Sequence, residues 1–205
     1  MRGVMMALAW LALSLSPCAA HDFLEGFDSE KVSWQPFFTN PDQARLLSHR
    51  RHAQILKNGQ ASENIEIDVA NRPTRVILQH KLPPSRVLDE LNLSMWVRSN
   101  RAGGTLAVRV VFPHQIDPET SKPLNIVLTG DKYVEAGSWQ LLSCRTADNV
   151  IEKRLQLLRY RHRKNIDESD SYVDQAYVIL DAAQGTTEIF LDELKFGPVV
   201  SPTTA

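Results

Sequence analysis

Leu91-Asn92-Leu93-Ser94-Met95-Trp96-Val97-Arg98 alternates strictly, with Leu91, Leu93, Met95 and Val97 on one side and Asn92, Ser94, Trp96 and Arg98 on the other. Successive side chains of a strand point to opposite faces, so this stretch reads as a strand with one face in a core. Residues 64–69 repeat the pattern, with Ile65, Ile67 and Val69 opposed to Asn64, Glu66 and Asp68. Outward from these two, runs rich in Val, Ile, Leu, Thr and aromatics occupy residues 31–38, 74–80, 105–112, 125–129, 139–145, 172–180 and 187–196. Gly, Pro, Asn and Asp separate them. That rhythm predicts an all-β domain, a two-layer antiparallel β-sandwich.

One segment keeps a different period. Residues 149–164 place Ile151, Leu155 and Leu158 at three- and four-residue spacing, with Leu157 on the flank and basic residues between. This is the pattern of an amphipathic helix inserted between late strands. Asp148 or Asn149 can cap its start, and Arg161, His162, Arg163 and Lys164 crowd its last turn, where cations suit the helix dipole.

Composition narrows the function classes. Of 205 residues, 43% are hydrophobic and 23% charged, ordinary for a globular chain. Lys and Arg number 23 against 24 Asp and Glu, a net charge of −1, so no global field draws the chain to nucleic acid. The two cysteines, Cys18 and Cys144, give neither zinc-site spacing nor a disulfide framework.

At the start, Arg2, the apolar run 4–15 and the small residues ending at Ala20 have the three parts of a secretory signal. The apolar run is short for a membrane span, and no second long one follows, so no integral span is expected. The expected organisation is a signal peptide over residues 1–20, a sandwich domain over 21–197 and a Pro/Thr tail or linker over 198–205. The product would be exported to the periplasm, the cell surface or the medium, as a monomer. Lipidation of Cys18 is an alternative that the preceding Pro17 disfavours.

Several phrases carry a resemblance. Phe27-Asp28 followed by Ser33-Trp34, the strand around Trp96-Val97-Arg98, Gly137-Ser138-Trp139 and finally Leu191-Asp192-Glu193-Leu194 stand in the order of landmarks in galactose-binding-like jelly rolls. The chain resembles in particular the carbohydrate-binding modules of secreted bacterial glycoside hydrolases, over about residues 27–196. Asp28 stands where those modules usually have Glu, Glu193 where they have a second Asp, and the helix is an insertion that most of them lack. The resemblance implies a jelly-roll sandwich, a polysaccharide or glycan partner, and a structural calcium ion held between the first and last strands. Asp28, Glu30 and Asp192 fall on the positions that would hold that ion.

A sugar-binding face needs aromatic rings to stack on pyranose CH groups and planar polar groups to pair with hydroxyls. Strand alternation nominates Trp96 and Arg98, Arg109 opposite Leu106, Val108 and Val110, and Gln175 and Tyr177 opposite Ala176, Val178 and Leu180. These five make one surface if their strands share a sheet. Trp34 and Trp139 read as structural. Two other classes stay open. A structural or protein-interaction sandwich would use the same face or the basic helix, and a glycan-active enzyme would need machinery for which the motifs are missing. There is no Gly-x-Ser-x-Gly, His-Glu-x-x-His, phosphate loop or dinucleotide fingerprint. The neighbouring acids Asp167/Glu168 and Asp192/Glu193 cannot flank one glycosidic bond if they lie on strands. A copper site formed by His21 at a new N-terminus and a second histidine is the remaining oxidative reading.

Overall fold

The computed structural model describes residues 21–146, 148–162 and 165–202. The expected signal peptide lies outside the described residues, as do the side chains of the proposed cap and of the basic last turn of the helix. In chain order the elements are β1 (His21–Glu25), β2 (Gln35–Phe38), β3 (Ala44–His52), β4 (Ser62–Val69), β5 (Thr74–Arg86), β6 (Asn92–Ser99), β7 (Thr105–Ile116), β8 (Pro123–Lys132), β9 (Gln140–Arg145), α1 (Asp148–His162), β10 (Tyr172–Ala182) and β11 (Gly185–Val199).

They form two antiparallel sheets packed face to face, with the helix between β9 and β10, as the sequence predicts. One sheet runs β3-β4-β11-β6-β9, and β1 also pairs with β11. The other runs β2-β5-β10-β7-β8. Below they are called the β11 sheet and the β10 sheet after their central strands. Ile65, Ile67, Met95, Val97 and Leu191 point inward from the first, and Leu78, Leu106, Val108 and Val178 from the second. The alternation read from residues 91–98 is borne out: Leu93, Met95 and Val97 are buried, while Trp96 and Arg98 are only half-buried on the opposite face.

Two strands escape the hydrophobic pattern. β3 carries His49, Arg50, Arg51 and His52, and a bulge between Leu46 and Ser48 interrupts its pairing with β4. Its inward side chains are satisfied by a buried acid instead of an apolar core. Glu63 is fully buried and accepts hydrogen bonds from Arg51 Nη1 at 2.5 Å and from the amides of Ser33 and Trp34 at 2.9 Å each. His49 Nε2 lies 2.7 Å from the same carboxylate. β1, which precedes the first strand predicted from the sequence, pairs antiparallel with β11, Phe23 opposite Phe196 and Glu25 opposite Leu194. β11 continues to Val199, and Ser85 and Arg86 bind the backbone of Val200.

Helix α1 lies against β8, an edge strand of the β10 sheet. Ile151 and Leu155 are buried and Leu158 packs on the core. No described helix is long and apolar enough to cross a membrane.

Candidate functional site

The five nominated residues do not form one surface. β6 belongs to the β11 sheet, and β7 and β10 to the β10 sheet, so Trp96 and Arg98 lie on one outer face of the sandwich and Arg109, Gln175 and Tyr177 on the other. Alternation tells inside from outside along a strand; it carries nothing about which sheet a strand joins.

On the β11 side Trp96 is capped. Residues 53–61 connect β3 to β4, and the Nζ of Lys57 sits 4.2 Å from the centroid of the Trp96 ring, a cation–π contact over the surface that a sugar would stack on. Asp192, opposite Trp96 in register, anchors that loop: its Oδ2 accepts the amides of Lys57 at 2.6 Å and Asn58 at 3.0 Å. Asn58 Nδ2 also donates to Glu193. Asp28 Oδ1 accepts the amide of Gln60 at 2.7 Å, and Gly59 has φ +69°, where a Cβ would stand 2.8 Å from that oxygen and force it to move. Burial pushes the Asp192 carboxyl above its ordinary range, although the Asn58 and Lys57 amides oppose the shift. Its Oδ1 has no hydrogen-bond partner among the described residues.

The same contacts bear on calcium. Calcium takes six to eight oxygen ligands. Asp28 and Asp192 each give an oxygen to backbone N–H donors of one loop, Glu30 is exposed, and among the described residues no group of three or more His, Cys, Asp or Glu is placed to hold a metal ion. The chain closes with its first and last strands side by side, as the resemblance implies, but this donor set does not fit the ion. Loop amides take one oxygen of each acid, and two carboxylates alone fall short of the oxygen shell that calcium needs.

The β10 side is open and differently built. Register places Lys81, Gln175, Arg109 and Val127 in one row across β5, β10, β7 and β8. The next row holds Gln35, Gln79, Tyr177, Ala107 and Thr129, and a third holds Phe37, Ile77, Ile179 and Thr105. All of these point away from the core because their neighbours, such as Val76, Leu78, Val108 and Val178, point into it. Arg109 is fixed by Asp174, which stands at a bulge in β10: Nε to Oδ1 is 2.8 Å and Nη2 to Oδ2 is 2.6 Å, a two-point pair that holds the guanidinium plane. Hydrogen bonding to Asp174 raises the Arg109 pKa, so the group is a permanent cation. The Tyr177 hydroxyl donates to Gln175 Oε1 at 2.6 Å, and burial raises its pKa, so it remains a protonated donor at neutral pH. Phe37 at the far edge is 54% exposed. The face therefore joins a preoriented donor, amide groups and half-exposed rings on adjacent strands of one sheet.

Asp174, Gln79, Gln35 and Phe37 were missed in the sequence reading. The alternation of residues 74–80, where Ile77 and Gln79 oppose Val76, Leu78 and His80, contains the signal for Gln79; the bulge that presents Asp174 has no sequence mark.

Comparison with solved structures agrees with this architecture. The chain superposes on a carbohydrate-binding module of the β-sandwich superfamily, described for its promiscuous specificity, with a TM-score of 0.54 and 10% identity. The match covers 84% of this chain and 60% of that one. It is also similar to the family 11 carbohydrate-binding module of the cellulosomal cellulase Lic26A-Cel5E of Clostridium thermocellum, at a TM-score of 0.50 and 10% identity over 87% of this chain and 95% of that one. The chain has the β-sandwich fold of carbohydrate-binding modules. Its sequence matches no protein-family model and no curated protein.

Proposed function

We propose that this protein is an exported, non-catalytic module that binds a glycan across the outer face of the β10 sheet. The observation that carries the reading is the set of rows formed by Gln35, Gln79 and Tyr177 and by Gln175 and Arg109, with Arg109 held by Asp174. A pyranose presents CH faces to a ring and hydroxyls to planar amides and a guanidinium, and these groups stand together on adjacent strands of one sheet face. The fold shared with carbohydrate-binding modules supports the reading. Trp96 and Arg98 are set aside as primary contacts because Lys57 already occupies the Trp96 ring. The neighbouring acids of β11 serve the loop: Asp192 is buried beneath it, and Glu193 is bound by Lys195 and Asn58. Export rests on the composition of residues 1–20, with N-terminal sequencing of the mature product as its check.

The test is calorimetric titration with xylohexaose, a mixed-linked β-1,3-1,4-glucan tetrasaccharide and β-1,4-galactotriose. Binding of at least one by the wild type, weakened roughly tenfold or more in Tyr177→Ala and unchanged in Trp96→Ala, is expected. Loss in Trp96→Ala with an intact response in Tyr177→Ala would move the site to the other sheet.

A further inference from the structure

Helix α1 does more than cover an edge strand. Its anchors Ile151 and Leu155 are buried, yet Leu157 is 64% and Tyr160 88% exposed. Between the helix and β8 runs a groove of about 540 Å3, lined by Ile126, Val127, Arg154, Leu157, Leu158 and Tyr160. That volume is in the range of small-molecule sites. A helix that only shielded β8 would be served by charged residues at these positions.

We propose that this groove is a further sugar subsite, which takes one ring of a glycan whose other rings lie over Gln175, Arg109 and Tyr177. The proposal rests on the glycan-binding reading of the β10 face and assigns the helix its own part in it. Register is the link. Gln175 pairs with Arg109 and Arg109 with Val127, so the three share one outward row. Val127 is both the last member of that row and a wall of the groove. Two interstrand spacings, roughly 10 Å, separate Gln175 from Val127, and a chain laid across the strands reaches the groove without leaving the surface. There it meets apolar leucines and an aromatic ring for its CH faces, and the Arg154 guanidinium for its hydroxyls. This continuity favours a glycan over a protein segment as the occupant.

Tyr160→Ala tests the assignment without endangering the fold, because the side chain is almost wholly in solvent. Xylan, mixed-linked β-glucan and β-1,4-galactan oligosaccharides of three and six residues are titrated into the wild type, Tyr160→Ala and Tyr177→Ala. For the glycan that binds, Tyr160→Ala is expected to weaken the six-residue ligand about three- to tenfold, to leave the three-residue ligand unaffected and to melt with the wild type. Wild-type affinity of Tyr160→Ala for the longer ligand, while Tyr177→Ala loses it, overturns the subsite and leaves the β10 face standing. No binding by the wild type to any of these ligands overturns both.

Discussion

Glu63 shows how one side chain can replace part of a hydrophobic core. Burial by itself raises a carboxyl pKa, but the His49 hydrogen bond, the Ser33 and Trp34 amides and the Arg51 charge outweigh it, and Glu63 ends below its ordinary value of 4.5. The sign of the linkage follows. Stability from this group is complete above the unfolded value and is lost as pH falls through the lowered folded one. His80 acts earlier: burial, opposed in part by the Ser33 carbonyl, lowers its pKa below 6.5, so its neutral native form begins to cost stability as pH drops beneath that value. Glu63→Ala leaves Arg51 buried without its closest acid and is expected to cost about 3–5 kcal/mol, read by urea unfolding at pH 7. The penalty should shrink toward acid pH, where the wild type loses the same interaction; an equal penalty at both pH values would refute the ionic account. The pairing was not legible because Arg51 and Glu63 lie on neighbouring strands, and nothing local marks which acid meets which base.

At the level of elements, the loop over residues 53–61 stands where the resemblance leads one to look for a cation. Its amides take one oxygen each of Asp192 and Asp28, and Lys57 adds a positive charge above Trp96. Melting is therefore expected to be indifferent to millimolar calcium and to chelator. A rise with calcium that disappears in Asp192→Ala would show that the loop can turn carbonyls toward an ion. What the sequence disclosed about elements tracks their chemistry. β6 and β4 were legible because each buries an unbroken apolar face, and α1 because Ile151, Leu155 and Leu158 keep a helical period. β3 was not, since a bulge breaks its alternation and cations face inward. β1 is too short to show a pattern and is defined by its partner β11.

For the molecule as a whole, the two-layer architecture could be read from strand rhythm, while the assignment of strands to sheets could not. That gap split the nominated surface: Arg109, Gln175 and Tyr177 share a face, and Trp96 and Arg98 lie on the opposite side of the sandwich, about 10 Å of packed core between the sheets. Long-range pairing decides such questions, and each strand's pattern is compatible with several orders.

The order of strands in space also sets an order in time. β10 stands at the centre of one sheet and β11 pairs with β1, β4 and β6 in the other, yet both are the last strands in the chain. A polypeptide that emerges from its N-terminus has, until Tyr172 appears, only the separate pairs β2-β5, β7-β8, β3-β4 and β6-β9, with no strand to join them into sheets. Neither layer can close before almost the whole domain is present, and non-local pairing of this kind makes closure slow. A fragment ending at Asp170 should accordingly lack cooperative melting, and adding a peptide of residues 171–202 in trans should restore it; a cooperative transition in the fragment alone would contradict this order. Under the export proposed above, late arrival of these central strands would keep the emerging chain unfolded, and so threadable, while it crosses a membrane.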